Sequence, residues 1–324
     1  MFSVQIAGYP HRNLGNEYTN TAYALVDDCD ALDAWHLMLT ERKRMGLEKH
    51  FDAGQLIDSR ERRRIVGDYT LTTVDILAQR TFPDTLLQMR SNFDAAGFPN
   101  SQMLLIKDMK GPVFITNMPY RCFLPAGLDG IYSIGLGASA ERDAMTLVRM
   151  QPDLQNQGYA IGVAAAMAIE NNIPTRDLDI DALQKKLVEV GILPANARAT
   201  PDSFPPSAKA IRAAVAEVSG MALKIDHSQG KMSNLSSEVL ETEDTKHYRS
   251  LAIIIAAPNL SIPVLKDALS SATDRTHRLN YAKILALLGD SSGESDLVAY
   301  VEEHDWDNGY AWTQHRKQNN TCLL

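Results

Sequence analysis

The sequence predicts a mixed α+β domain followed by an all-α region, and three observations carry that prediction. First, residues 118–169 hold a turn, a short apolar run at 131–134, a glycine turn at Gly135 and Gly137, a polar loop and a long helix rich in small residues, which reads as strand, turn and helix in succession. Second, the apolar runs 103–106 and 113–115 flank Lys110-Gly111-Pro112, the pattern of two paired strands around a turn. Third, the helical segments 251–257 and 264–269 are matched about 33 residues later by 284–289 and 297–301, a period that fits two short HEAT-like repeats and equally an ordinary pair of helical hairpins.

The bulk properties bound the function. A chain of 324 residues with 45% apolar and 22% charged residues buries a substantial core as one large or two medium domains. Its net charge of −8 leaves no excess of Lys and Arg to neutralise phosphates, which argues against a nucleic-acid partner. Three scattered cysteines, Cys29, Cys122 and Cys322, suit reduced thiols better than a disulfide framework or a zinc site. The first residues lack a signal-peptide core and no run has the length of a membrane span. The expectation is therefore a cytoplasmic protein with no membrane partner, with export left open if an N-terminal segment is missing.

The elements follow in order. Residues 18–46 have apolar spacing suited to one or two helices, and a charged run, 41–44, follows. The run Arg60-Glu61-Arg62-Arg63-Arg64 reads either as a solvated face or as arginines aimed at a carboxylate or pyrophosphate. Thr72 or Thr73 caps a short helix that ends by Thr81-Phe82-Pro83. The long helix runs from Gln155 and is closed by Asn172-Ile173-Pro174. Asp179 caps the next helix, with Ile180, Leu183, Leu187 and Val190 on one face and Gly191 as its stop. Residues 206–219 form an amphipathic helix through Ile211, Val215 and Val218, and residues 226–243 are a loop or linker.

The central stretch carries the chemistry. Gly158, Ala160, Gly162, Ala164, Ala165, Ala166 and Ala168 strip the long helix of side-chain bulk. A glycine inside a helix costs about 1 kcal/mol relative to alanine, so Gly158 and Gly162, one turn apart, imply that something lies against them. That neighbour is either another helix in tight internal packing or a flat ligand. A glycine turn beside a helix N-terminus also lets a flat or anionic ligand approach the backbone closely.

These residues also carry a family resemblance. Arg64-Ile65-Val66-Gly67-Asp68-Tyr69, Phe82-Pro83-Asp84, Met118-Pro119-Tyr120-Arg121, Leu124-Pro125-Ala126-Gly127, Gly135-Leu136-Gly137-Ala138-Ser139-Ala140, Arg149-Met150-Gln151-Pro152 and Gln157-Gly158-Tyr159-Ala160-Ile161-Gly162 occur in the order found in FAD-dependent oxidoreductases. The resemblance is to the C-terminal half of the glutathione-reductase-like flavoprotein superfamily, and more narrowly to a bacterial branch that appends HEAT-like helices. It covers most of residues 55–200 and, more weakly, 245–312. It implies FAD as cofactor, with Gly135, Leu136, Gly137, Ser139, Gln157, Gly158 and Tyr159 lining the flavin and a helix N-terminus facing the pyrimidine end of its ring.

The departures from the family pattern shape the expected architecture. The strand–GxGxxG–helix unit that grips the ADP pyrophosphate has no counterpart: residues 2–7, the first strand candidate, are followed only by the widely separated Gly8 and Gly15. Leu136 stands where many relatives have an Asp for the ribityl chain. The expected fold is thus an α/β (mixed α+β) flavoprotein-type domain lacking its N-terminal Rossmann segment, followed by an all-α HEAT-like region. The expected division is a flavin-capping and substrate part at 1–200, a helix and linker at 201–245 and helical repeats at 246–324.

The candidates for catalysis are Arg142, Asp143 and Glu141. Arg142 follows the glycine turn as a binder of substrate negative charge, Asp143 as a group that orients it or accepts a proton, and Glu141 as a base if burial raises its pKa. The alternative for Arg142 and Asp143 is a local surface ion pair. Arg121 and Arg149 read equally well as structural. The implied reaction is hydride transfer between a small organic substrate and flavin, with the Rossmann part supplied by an upstream segment or another chain. The alternative is a non-catalytic remnant or interaction module that uses its HEAT-like helices.

Overall fold

The computed structural model describes residues 64–93, 113–221 and 243–303, the isolated residues Leu32, Trp35, His36, Ser101 and Met103, and the short segments 310–313 and 316–318. The strand candidate at 2–7, the charged run 41–44, residues 60–63 of the arginine run, the turn 110–112 and all of the linker but Glu243 lie outside the described residues. Of the helices expected at 18–46, Leu32, Trp35 and His36 are described, and all three are helical.

The architecture is mixed α/β, mostly helical, with a small two-stranded sheet at its centre. Helix α1 (Thr73–Leu77) starts on a capping box: the Thr72 hydroxyl accepts the Asp75 amide at 3.1 Å while the Asp75 carboxylate accepts the Thr72 amide at 2.9 Å, satisfying two end amides at once. Strand β1 (Thr85–Ser91) pairs antiparallel with β2 (Phe114–Pro119), from Thr85 opposite Pro119 to Ser91 opposite Phe114. Of the hairpin expected between 103–106 and 113–115, residues 104–106 lie outside the described residues, and the second strand pairs with β1. Met103 is helical, and β2 reaches back across the chain to a strand whose Leu86, Leu87 and Met89 are buried. The apolar run 131–134 is not a strand either. It is irregular, Ile131 and Ile134 are 50% and 43% exposed, and no strand among the described residues pairs with it.

Helix α2 (Arg142–Val148) is buried at all seven positions, and α3 (Gln151–Asn171) follows directly. The start of α3 lies four residues before the expected Gln155, with Pro152 in the first turn, where its missing N–H costs nothing. Its end is as expected: Asn172 closes it in the left-handed conformation at φ 51°, and Pro174 cannot continue it. In α4 (Ile180–Glu189) the Asp179 side chain caps through the Ala182 amide, and Gly191 follows at φ 78°. Leu183 and Leu187 are buried, whereas Val190 is 53% exposed.

The remaining helices are α5 (Ala208–Glu217), α6 (Glu243–Ala256), α7 (Pro258–Ser271), α8 (Arg275–Leu287) and α9 (Glu294–Glu303). The last four coincide with the two helical pairs read from the repeat. Helix α5 packs on α6 and α7, α8 packs on α7 and α9, and α6 touches α1, so one hydrophobic cluster runs from Leu71 to Leu285. Asn280 fastens α8 to the end of α5 by donating to the carbonyls of Ser219 and Met221, each at 2.7 Å. Strands β3 (Tyr310–Thr313) and β4 (Arg316–Gln318) form a separate antiparallel pair that the sequence reading did not anticipate.

Candidate functional site

The glycine turn is held in a lattice of three segments joined by backbone hydrogen bonds and two isolated bridges, Gly67 to Pro125 and Leu71 to Ala140. The segment 65–71 bonds both to 121–126, whose first residues form a 3-10 turn, and to 137–141, and the Ser139 amide donates directly to the Cys122 carbonyl. The Asp68 and Tyr69 amides donate to the carbonyls of Leu124 and Arg121, and the Ile65 and Leu71 amides to those of Gly137 and Ser139. Four of the separated motifs, 64–69, 118–121, 124–127 and 135–140, therefore meet in space. At one end of this lattice Gly135–Gly137 forms a tight 3-10 turn, with Gly135 at φ 66°, a conformation open to glycine and costly for residues with a Cβ.

The expected cofactor residues fall into two sets. Gly135, Leu136 and Gly137 are partly exposed, as is Gly158, and Tyr159 is exposed. A Cβ added to Gly158 or Gly162 meets nothing within 4 Å among the described residues, so no described element packs against the bare face at these two positions. It continues along α3 through exposed Ala166 and Ile169. Ser139 and Gln157 point inward, each fully buried. The Ser139 hydroxyl accepts the Gly67 amide at 3.0 Å and shares a 2.8 Å hydrogen bond with Thr70. The Gln157 Oε1 accepts the Gly135 amide at 2.8 Å, and its Nε2 donates to the Val148 carbonyl at 2.7 Å. Both side chains brace the turn from behind.

Because α3 begins at Gln151, residues 157–159 lie in its second turn. The helix end itself is formed by residues 151–154, and its N-cap, Met150, makes no side-chain hydrogen bond to it. Pro152 has no N–H and the Leu154 amide donates to the Met150 carbonyl, so the Gln151 and Asp153 amides are those to which no cap side chain supplies an acceptor, and the partial positive charge of the helix end favours a negative ligand. Asp153 sits in this first turn, where burial pushes its carboxyl up to about 6.

The three charged candidates are placed differently from the expectation. Arg142 and Asp143 lie inside α2, almost wholly buried, and pair at 2.8 Å. The second Asp143 oxygen accepts the Ser101 amide at 2.7 Å. The ion pair weighed as the alternative is formed, but in the interior rather than at the surface, and neither side chain reaches the open face. Glu141 is exposed overall, but its carboxylate accepts the Thr73 amide at 2.9 Å at the start of α1. Arg121 forms a two-pronged pair with Asp84, Nε–Oδ2 at 2.9 Å and Nη2–Oδ1 at 3.0 Å, and lies over the Tyr69 ring. Its structural reading rests on this carboxylate. Arg149 is buried at the end of α2. Cys122 is buried, and burial pushes its thiol far above the ordinary value, as suits an inert reduced cysteine.

Sequence reasoning passed over the group that anchors the loop before the glycine turn. Arg176 makes a two-pronged pair with Asp68 at 2.8 and 3.1 Å and donates to the carbonyls of Pro125 and Leu128. Asp129 in turn accepts from both the amide and the hydroxyl of Thr175. The Tyr120 hydroxyl donates to the Thr175 carbonyl at 2.7 Å and pairs with the Tyr132 hydroxyl at 2.7 Å. The faint signal in the sequence was Asp68 inside the quoted RIVGDY motif; its partner lies 108 positions away.

The exposed glycine turn, the open face of α3 and the uncapped helix end supply what a flat ring with negative charge at one end requires. The donor set fits a flavin. No curated protein and no solved structure matches the chain. The family model for FAD dependent oxidoreductase matches residues 16–187, more than half of the chain, and spans the lattice, the glycine turn and α3. The chain belongs to the FAD dependent oxidoreductase family, and FAD is its cofactor.

Proposed function

We propose that this chain forms the flavin-end wall of a glutathione-reductase-like oxidoreductase that moves a hydride between a small organic substrate and FAD. The observation that carries the reading is the open face at Gly158 and Gly162, which continues from the glycine turn past the uncapped start of α3. Gly135, Leu136, Gly137, Gly158 and Tyr159 hold the ring, and the leading amides of α3 favour the charge that a reduced flavin carries at its pyrimidine end. Ser139 and Gln157 keep the turn in place. When bound, FAD supplies the hydride chemistry. The protein orients the ring and excludes water from one side of it.

The ADP half of the dinucleotide is held, in this proposal, by another segment or chain, since no GxGxxG run occurs in the sequence. The four C-terminal helices act as HEAT-like repeats, residues 1–200 form the flavin and substrate part, and residues 201–245 connect the two. The protein works in the cytoplasm with neither nucleic acid nor membrane as partner.

Of the three charged candidates, Glu141 alone is exposed and therefore the one that contacts substrate; Arg142 and Asp143 hold α2 beneath the site. Their burial also favours a second reading, a non-catalytic module whose helices bind a protein. Spectra separate the readings. Mixing the purified chain with FAD is expected to shift and sharpen the visible flavin bands, whereas a spectrum equal to the sum of chain and free FAD overturns the flavin reading.

A further inference from the structure

Gln157 is the side chain on which the glycine turn hangs. Its amide is fully buried and uses both ends: the oxygen takes the Gly135 N–H, and the nitrogen gives to the Val148 carbonyl, the last residue of α2. Met89 Sδ of β1 lies 4.0 Å from the same nitrogen. One residue of α3 thus ties together the turn, the end of α2 and the sheet. The turn needs such a tie. Among the described residues, the nearest atom to a Cβ built on Gly135 is Leu154 Cδ2 at 3.7 Å, so ordinary van der Waals contact alone leaves it room to shift. Gly137 is fastened further along by the Ile65 amide, and the Gln157 bond fixes the near end.

We infer that Gln157 is a positioning residue for the flavin: it sets the direction of the Gly135–Gly137 backbone from behind and does not touch the ring. The inference rests on the reading of this turn as one flavin wall. It departs from the motif resemblance, under which Gln157 lines the cofactor directly. An amide suits the task because it donates and accepts at once without charge. A leucine of similar volume does neither and leaves the Gly135 N–H and the Val148 carbonyl buried without partners. A glutamate keeps the acceptor for Gly135 and, when ionised, sets a carboxylate against the Val148 carbonyl oxygen.

The experiment is a fluorescence and absorbance titration of the full chain with FAD, for wild type, Gln157→Leu, Gln157→Glu and Gly158→Leu, with circular dichroism to confirm folding. Gln157→Leu is expected to weaken FAD about tenfold, the factor that loss of one well-satisfied hydrogen bond carries, and to return the visible bands toward those of free flavin. Gln157→Glu is expected to fall between it and wild type, which a purely volumetric role for the side chain does not produce. Gly158→Leu is expected to abolish binding by filling the open face. A folded Gln157→Leu variant with wild-type affinity and bands overturns the positioning role alone. If Gln157→Leu does not fold, wild-type affinity and bands in Gln157→Glu overturn the role. Unchanged binding in Gly158→Leu, or no binding by wild type, overturns the site reading and the inference with it.

Discussion

Gly67 lies so close to Ser139 that a methyl group added to it would sit 2.7 Å from the Ser139 Cβ, with the Arg121 and Tyr69 carbonyl oxygens at 3.0 Å. The same two residues share a hydrogen bond, from the Gly67 amide to the Ser139 hydroxyl at 3.0 Å. The lattice behind the glycine turn is therefore packed at backbone distance, and two of the three crowding atoms are main-chain oxygens that cannot swing away. Gly67→Ala is expected to destabilise the fold by about 2 kcal/mol, the usual scale of overpacking. Ser139→Ala is expected to cost about 1 kcal/mol through the lost hydrogen bonds. Urea denaturation checks both, and equal midpoints for wild type and Gly67→Ala would show that the lattice yields.

Asp84 and Arg121 join the start of β1 to the turn after β2. The Asp84 carboxylate accepts the Arg121 amide as well as two guanidinium N–H groups, so its removal strands a cation and a main-chain donor together. Asp84→Ala is expected to cost about 2–3 kcal/mol, the range for hydrogen bonds to charged groups. Thermal melting measures it.

Burial holds Asp153 neutral to about pH 6, although the helix end beside it favours the anion. A carboxyl whose folded pKa is raised binds a proton more readily in the folded chain than in the unfolded one. Its contribution therefore favours folding at low pH and is lost as pH rises from about 4 through about 6. Asp153→Asn is expected to raise stability above pH 6 and to flatten the pH dependence across that window. Melting curves at pH 4.5 and pH 7.5 decide it, and the same pH slope in both proteins would place the effect elsewhere.

Gly293 meets Ala282 at the junction of α8 and α9, where an added Cβ would lie 2.5 Å from both Cα and Cβ of Ala282. Gly293→Ala is expected to destabilise by about 2–3 kcal/mol. Because one hydrophobic cluster runs from Leu71 to Leu285, the whole chain is expected to melt earlier in a single transition. Two transitions, only one of them shifted, would show that the C-terminal helices fold as their own unit.

The features legible in the sequence are those written in local chemistry. Thr72 and Asp75, three apart, announce α1; Asn172 and Pro174 announce the end of α3; Asp179 and Gly191 bracket α4; and the apolar spacing of 251–301 marks four helices. What was not legible depends on distant partners. Strand β1 pairs with β2 across a long excursion, and no local signal marked its run as a strand. The apolar run 131–134 has strand composition but no strand among the described residues to pair with. Adjacent charges such as Arg142 and Asp143 suggest a surface, and only the packing of α2 shows them buried. The glycines of the site were visible and Gln157 was read as lining the flavin, whereas its bracing role and that of Arg176 were not. A buried amide leaves no periodicity, and Arg176 meets Asp68 from 108 positions away.

The central claim is that this chain holds the ring of FAD and not its ADP half. The most direct test is to titrate the purified chain with FAD and with riboflavin, following flavin absorbance and fluorescence. The account predicts that both bind, with dissociation constants within about tenfold of each other, a gap of no more than about 1.4 kcal/mol. No spectral response to either flavin would contradict the claim, and so would FAD binding a hundredfold or more tighter than riboflavin, which would place the dinucleotide grip within this chain.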